Sequence, residues 1–305
     1  MTKKTVIIIF MALIVIIAGG GAVYRFVPIK RDVTAADGQH YRGAMKNGRY
    51  HGQGVLTYPP GRRYNDMLSY AGDFVDGQRH GRGTLTWRTG NTYEGEWLND
   101  DAIGRGVFTY VPSTEYDMLS YTGGVLGGER HGQGTLILRD GGKHEGEWKN
   151  DQLNGQSVMI GMADENWLSY TGDVRDGDRH GQGTLIWRDG TKYEGRWRDG
   201  WMHGRGVMTF PGGGQRYEGD FESGRPSGQG VMIWFYGLMK YEGQWRDGRM
   251  NGQGVLTWRK GGRREGRWKN GELYNGRAYD AAGREIFRMN DGQKQNAADS
   301  GGRKP

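Results

Sequence analysis

The stretch YEGRWRDGWMHGRGVMTF, residues 193–210, is the unit from which most of this chain is built. The stretch from Tyr170 to Trp187 carries matching residue types at the same positions. A regular recurrence of 23 to 29 residues indicates a repeat array, in which each unit packs only on its neighbours. The opening position of the unit falls at ten places, and the last of the ten copies is degenerate. These positions are Tyr41, Tyr70, Tyr93, Tyr121, His144, Tyr170, Tyr193, Tyr217, Tyr241 and Arg264.

Each unit has the pattern of a β-hairpin. Apolar or small residues occupy every second position of residues 193–197, which is the period of a strand with one apolar face. Arg198–Gly200 supplies turn chemistry, and a second alternating run extends from Gly206 to Phe210. A further turn at Asp189 and Gly190 joins one hairpin to the next. The predicted fold class is therefore all-β, an elongated antiparallel meander of about ten β-hairpins over residues 41–278.

Glycines recur within these strands, on the face that carries the Tyr and Trp rings. Gly195 and Gly206 are the examples in the unit that starts at Tyr193. Glycine normally weakens a strand because it has no side chain to pack. We expect the missing side chains to make room for aromatic rings that lie across neighbouring strands.

The repeated unit resembles the MORN family, the membrane occupation and recognition nexus repeat. The resemblance is carried by the pentapeptide from Tyr93 to Trp97, by the tripeptide from Tyr193 to Gly195, and by the tetrapeptide from His203 to Gly206. It covers roughly residues 41–278 and implies a β-hairpin ribbon that serves as a scaffold or dimerisation element and sometimes touches membrane lipids. The resemblance implies no single activity.

The array is preceded by an apolar segment. Residues 5–23 are 19 residues long, enough to cross a bilayer as one helix, and we predict a transmembrane signal anchor after a short flank at residues 1–4. A cleaved signal peptide is the alternative, since the strongest apolar run, residues 6–18, is 13 residues long. Residues 24–40 read as a linker. The short flank predicts a single-pass membrane protein with extracytoplasmic repeats, and the absence of cysteine is compatible with that side.

Three long return loops interrupt the regular spacing, after the first, third and fifth hairpins. Each ends in an apolar pair that is followed by Ser and the frame Tyr. One interpretation is that these pairs fold back over the aromatic face. The other is an apolar edge that binds a protein partner. The residues of this predicted partner-binding edge are Met67, Leu68, Met118, Leu119, Trp167 and Leu168.

Charge is distributed unevenly along the array. Residues 41–192 contain 17 Lys and Arg against 20 Asp and Glu, whereas residues 193–278 contain 15 against 9. The positive end predicts either a solvated surface or a patch that binds anionic lipid or an envelope polymer. Its residues are Arg259, Lys260, Arg263, Arg264, Arg267 and Lys269. Nucleic acid is not expected as a partner, because no continuous basic stripe is present. Residues 279–289 are predicted to cap the array, and residues 290–305 to form a disordered tail.

Chemistry-bearing motifs are scarce. Histidine recurs at one frame position, but a meander spreads these rings one to a hairpin, so they are not expected to hold a metal or to act in catalysis. They are His51, His80, His131, His180 and His203. The chain has no cysteine, no serine in a nucleophile elbow, and only Gly-x-Gly pairs that precede strands. We predict no enzyme activity, no cofactor and no metal.

Two functions remain open at this stage. The first is a non-catalytic, membrane-anchored scaffold that binds a protein partner or a second copy of itself. The second is binding of an anionic lipid headgroup or an envelope polymer through the basic C-terminal repeats. Ionic strength separates them, because binding through the basic end should weaken steeply with salt whereas binding through an apolar edge should not.

Overall fold

The computed structural model describes residues 15–18, 21–24, 29–61, 66–112, 117–161, 163 and 165–296, with side-chain burial from residue 30 onward. It divides into two compact units, residues 1–136 and 137–305. The described residues form strands, turns and one short 3-10 segment at Pro211–Gly213, and they contain no α-helix.

The first unit consists of antiparallel strands in chain order. Their bounds are β1 (Val15–Ala18), β2 (Gly21–Tyr24), β3 (Ile29–Thr34), β4 (His40–Lys46), β5 (Arg49–Thr57), β6 (Met67–Val75), β7 (Gln78–Trp87), β8 (Thr92–Leu98), β9 (Asp101–Thr109) and β10 (Met118–Leu126). From β3 to β10 each strand pairs with the next in an open meander. The boundary between the units falls within β11 (Glu129–Leu138).

The second unit repeats this arrangement. Its strands are β12 (Lys143–Lys149), β13 (Gln152–Ile160), β14 (Trp167–Arg175), β15 (Asp178–Trp187), β16 (Lys192–Arg198), β17 (Trp201–Thr209), β18 (Arg216–Glu222), β19 (Arg225–Trp234), β20 (Met239–Arg246), β21 (Arg249–Trp258), β22 (Arg263–Lys269), β23 (Glu272–Tyr279), β24 (Glu285–Asn290) and β25 (Gln293–Asn296). Each pairs with its successor in an open antiparallel meander. The predicted all-β meander of hairpins is confirmed.

The core of each unit is a ladder of tyrosine rings that lie over paired glycines. Gly195 and Gly206 face each other across β16 and β17, and a Cβ on Gly206 would lie 2.5 Å from Cε2 of Tyr193. Tyr193 is completely buried, and its hydroxyl donates a hydrogen bond to the Arg196 carbonyl at 2.9 Å. The expectation that glycine makes room for the rings is therefore confirmed.

A second aromatic residue follows five of the eight frame tyrosines at four positions and packs between that tyrosine and the preceding one. Trp197 packs edge-on between Tyr170 and Tyr193, with ring centroids 5.5 and 5.2 Å apart. Its indole N–H donates to the Gly183 carbonyl at 3.2 Å, so the polar atom of this buried ring is satisfied. Phe221 continues the ladder at 4.9 Å from Tyr193. Edge-to-face contacts thus supply a core where a single sheet has no second layer.

Burial of these phenols disfavours their ionised form. It raises the pKa of Tyr93 and of Tyr241 to about 12, and burial likewise raises the pKa of Tyr170 and Tyr193 well above the ordinary value. The ladder is therefore neutral over the whole physiological range.

The single transmembrane helix predicted for residues 5–23 finds no support in the structure. Residues 5–14, 19 and 20 of that segment lie outside the described residues, and the described remainder forms β1 and β2, which pair antiparallel. Within the described residues, no helix has the length and hydropathy needed to cross a bilayer. Val15, Ile16 and Ile17 are all β-branched, and β-branched residues favour extended backbone over helix.

Both ends of the array extend further than the repeat pattern predicts. Part of the predicted linker, Ile29–Thr34, forms β3 and pairs with β4. At the other end, β24 covers β23 within the predicted cap, and β25 then pairs with β24. Residues 290–296 of the predicted tail therefore continue the sheet, while residues 297–305 lie outside the described part of the chain. Alternating side chains in residues 285–289 permit this extra hairpin.

Candidate functional site

The predicted partner-binding edge lies at the first residues of strands and not in the preceding loops. Each apolar pair opens one of the strands β6, β10 and β14, and the structure divides every pair in the same way. Met67, Met118 and Trp167 are half-buried. Their neighbours Leu68, Leu119 and Leu168 are 38%, 45% and 44% exposed. The packing interpretation therefore applies to the first member of each pair, and the exposed-edge interpretation to the second.

Local contacts explain this division. Arg79 Nη1 donates a hydrogen bond to Sδ of Met67 at 3.6 Å, which holds the methionine against the guanidinium that also covers Trp97. A register shift between Met67 and Ser69 leaves Leu68 without a partner position in the ladder of β6 and β7. In the first unit, Leu68 and Leu119 are four strands apart, about 19 Å. Whether these leucines bind a partner remains a prediction.

The predicted basic patch is not one surface. Arg263 and Arg264 are adjacent in β22, so they face opposite sides of the sheet. Arg264 takes the frame position of tyrosine and lies over the Trp258 ring at 5.3 Å. Arg263 stacks on Tyr279 at 4.0 Å and pairs with Glu265 at 3.1 Å. That hydrogen bond from Arg263 lowers the pKa of the Glu265 carboxyl.

The other members of the patch are exposed. Lys269 lies over the Tyr274 ring, with Nζ 4.9 Å from its centroid, and Arg267 is exposed on β22. Arg259 and Lys260 stand in the turn between β21 and β22, where both are exposed. The turn pair thus lies in an exposed turn, outside the ion pair of Arg263 with Glu265, and is well placed to meet an anionic surface.

A second exposed feature beside this turn escaped the sequence analysis. The turn between β19 and β20 carries Phe235, Tyr236 and Leu238, which are 54%, 75% and 52% exposed. We name these three residues the aromatic turn. It contacts the basic pair directly, because the Arg259 N–H donates to the Leu238 carbonyl at 2.9 Å. The signal in the sequence was an apolar cluster at a place where other copies have mostly polar or small residues, such as RDGT at residues 188–191.

The aromatic turn has an unusual backbone. The Gly237 N–H donates to the Trp234 carbonyl at 3.2 Å, which closes a two-residue turn on Phe235 and Tyr236. These two residues have φ of 52° and 56°, the left-handed region that bulky side chains avoid. Such a turn ordinarily carries Asn-Gly. The Tyr236 hydroxyl donates to the Gly212 carbonyl at 2.9 Å, which ties this turn to the preceding one.

The repeated histidines are spread along the strands as the meander requires. His51 Nδ1 lies 3.8 Å from an Asp76 carboxylate oxygen, and His180 Nδ1 lies 3.7 Å from that of Asp199, each on the following hairpin turn. Among the described residues, no group of three His, Cys, Asp or Glu side chains could hold a metal ion. The arrangement places each of these two rings beside the turn of the next hairpin.

The polar face of the second unit contains an open furrow of about 600 Å³. Paired glycines such as Gly183 and Gly195 form part of its lining, with side chains of Gln182, Glu194 and Arg205 beside them. Glu194 is neutralised by Lys192 at 2.9 Å. Thr184 and Glu194 stand at paired positions of β15 and β16 in this lining, so the furrow is an open polar groove along the strands.

Comparison with known proteins gives little beyond the repeat. No curated protein matches this chain. Among solved structures, the chain is similar to the TCP domain of SAS-4 (dCPAP) from Drosophila melanogaster, solved with a proline-rich motif of Ana2 (dSTIL), at 15% identity and TM-score 0.25 over 63% of this chain and 94% of that one. Catalytically inactive virginiamycin B lyase from Staphylococcus aureus, with quinupristin, matches at 8% identity and TM-score 0.14 over 88% and 93%. These TM-scores are too low to indicate a common fold.

The repeats themselves match a known family. The MORN repeat profile matches residues 41–61, 70–92, 93–114, 121–143, 144–160, 170–192, 193–215, 217–235 and 241–263. The degenerate copy at Arg264 lies outside these matches, yet it forms the hairpin of β22 and β23 with Trp268 buried. Nine matched repeats span more than half of the chain, and the chain therefore belongs to the MORN repeat family.

Proposed function

We propose that this protein is a non-catalytic repeat scaffold that binds a protein partner, or a second copy of itself, through the exposed leucines at the starts of β6, β10 and β14. MORN repeat proteins bind proteins or lipids in general, and the family supports a scaffold role. The observation that carries the proposal is the recurrence of one exposed leucine, Leu68, Leu119 and Leu168, at the same frame position of three repeats.

Energetics favour these leucines as contact residues. Full burial of a leucine side chain is worth about 1.5–3 kcal/mol, and each of the three leaves close to half of its surface in water. A partner that covered one of them would thus gain about 1 kcal/mol per leucine. The half-buried Met67 and Met118 beside them are held by arginines, so they support the edge without being available themselves.

Photo-crosslinking in intact cells tests the proposal. A photoreactive amino acid is placed next to Leu119 or Leu168, and the captured protein is identified in the full-length chain and in the Leu119→Ser and Leu168→Ser variants. We expect serine to abolish capture of one defined partner without unfolding the protein. Leu98→Ser is the matched control, because Leu98 is also 45% exposed but lies at the hairpin-turn end of β8. Capture that survives both Leu119→Ser and Leu168→Ser would refute the proposal that these leucines bind the partner.

Binding of an anionic lipid headgroup or an envelope polymer is the second candidate function. It is favoured by one observation, the exposed pair Arg259 and Lys260 in the turn after β21. Retention on anionic vesicles that falls steeply with salt would support it, since exposed charges are screened within about 10 Å at 0.1 M salt. Salt-independent capture of a protein would instead support binding through the exposed leucines.

Membrane attachment rests on sequence composition. The apolar character of residues 5–23 supports a single-pass anchor, and the short flank at residues 1–4 supports extracytoplasmic repeats. Extraction of membranes with alkaline carbonate, for the full chain and for a chain that lacks residues 1–40, tests it. An anchored chain stays with the membrane and the shortened chain is released. Release of both would refute the anchor.

A further inference from the structure

The aromatic turn and the basic pair beside it form one surface of the second unit. Phe235, Tyr236 and Leu238 are each more than half exposed, which is rare for three large apolar side chains within four residues. The backbone hydrogen bond from Arg259 to Leu238 places the two turns side by side. The surface therefore combines apolar rings with two exposed cations at one end of adjacent hairpins.

The fold does not require these aromatic residues. A two-residue turn with positive φ at both positions is best served by Asn-Gly, and bulky residues are disfavoured there. Tyr236 gains a hydrogen bond to Gly212, but Phe235 remains mostly in water. Exposed residues that are kept in a strained conformation point to a role in contacting another molecule.

Charge indicates the nature of the partner. The three neighbouring turns, residues 211–214, 235–238 and 259–262, contain no acidic residue, while the last contains Arg259 and Lys260. Farther along β22, Arg263 is already neutralised by Glu265. The surface is thus apolar and cationic together, which is complementary to the interface of an anionic bilayer, where aromatic rings sit at headgroup level and basic side chains attract the lipid charge.

We propose that the aromatic turn inserts into the headgroup region of an anionic bilayer, with Arg259 and Lys260 on the lipid phosphates. This inference rests on the second candidate function and assigns it a contact site. Phe235 and Leu238 reach the boundary of the acyl chains, and Tyr236 stays at the polar level through its hydroxyl. A bilayer suits this surface because exposed apolar side chains and basic residues lie on adjacent turns that contain no acidic residue.

Co-sedimentation of the full-length protein with vesicles tests the site. The vesicles are phosphatidylcholine alone, or phosphatidylcholine with phosphatidylserine. We compare the native chain with a turn variant, Phe235→Asn with Tyr236→Gly and Leu238→Ser, and with a charge variant, Arg259→Gln with Lys260→Gln. At about 1 kcal/mol for each basic residue, the charge variant should lose roughly 30-fold in partitioning onto anionic vesicles.

Controls separate the possible outcomes. Trp201→Gln removes another aromatic residue, 63% exposed, at the first position of β17, and it should leave partitioning unchanged. The turn variant should bind vesicles weakly at every salt concentration. It should also unfold at a higher temperature than the native chain, which would exclude misfolding as the cause of the weak binding. If the native chain partitions equally onto neutral and anionic vesicles, the proposed binding of anionic lipid is refuted. If it binds anionic vesicles but neither variant changes this, the assigned site alone is refuted.

Discussion

The Gly206→Ala substitution tests the steric basis of the tyrosine ladder. The new Cβ would lie 2.5 Å from both Cε2 and the hydroxyl oxygen of Tyr193, and 2.6 Å from Cζ. Carbon atoms in contact are ordinarily about 3.5–4.0 Å apart, so the ring must move by about 1 Å. It has no free direction, because Trp197 and Phe221 pack on it with centroids 5.2 and 4.9 Å away.

The expected cost follows from what the ring loses. Overpacking of a well-packed core costs about 1–3 kcal/mol. Loss of the hydroxyl bond to the Arg196 carbonyl adds about 1 kcal/mol, and weakened edge-to-face contacts add about 0.5–1.5 kcal/mol each. The lower entropy of an unfolded chain with alanine offsets less than about 1 kcal/mol. We expect the free energy of unfolding to fall by about 3 kcal/mol.

Urea unfolding, with hydrogen exchange to locate the affected strands, measures this change. Gly262→Ala is the control, since the Cβ there would meet only Tyr279 and Trp258 atoms at ordinary distances of 3.5 and 3.7 Å. In a Tyr193→Leu background the cost of Gly206→Ala should drop below about 1 kcal/mol, because the clashing ring is absent. An equal cost in both backgrounds would refute the steric account.

One repeat of the chain already contains a version of this experiment. The copy that starts at His144 has no tyrosine at the opening position, and there the glycine of β13 is replaced by Ser157. Ser157 is buried, and its hydroxyl donates to the Asn154 carbonyl at 3.1 Å. A side chain is thus accommodated at this position where no tyrosine ring covers it.

Three further predictions concern the ladder and the aromatic turn. Burial holds the pKa of Tyr93 and Tyr241 at about 12, above the ordinary 10.0. Their contribution to the free energy of unfolding should therefore be complete below pH 10 and be lost as the pH rises through 12. Measuring the free energy of unfolding and the tyrosinate absorbance over this pH range checks this. Trp245→Phe removes the N–H bond to the Gly230 carbonyl and should cost about 1 kcal/mol in urea unfolding, and no loss would mean that the bond is irrelevant. Phe235→Asn with Tyr236→Gly should raise the melting temperature, since the two strained residues cost of order 1–3 kcal/mol each; a lower melting temperature would contradict the strain.

The sequence predicted the candidate functional site only in part, and strand geometry is the reason. The apolar pairs at the starts of β6, β10 and β14 were identified in the sequence, but not their division into a packed and an exposed member. That division depends on a register shift between Met67 and Ser69, which no local pattern reveals. The basic cluster was predicted as one patch, whereas strand alternation sends Arg263 and Arg264 to opposite faces.

By itself, the sequence determined the repeat, the hairpins and the pairing of glycine with tyrosine. These properties are local and periodic, so one unit such as residues 193–210 contains all that is needed to infer them. Only the tertiary structure decided which apolar and charged side chains remain accessible, and it replaced the predicted helix with short strands where it describes residues 5–23. The aromatic turn also emerged only there, because exposure and a positive φ arise from the contacts of a residue with neighbouring strands and turns, not from its own position in the repeat.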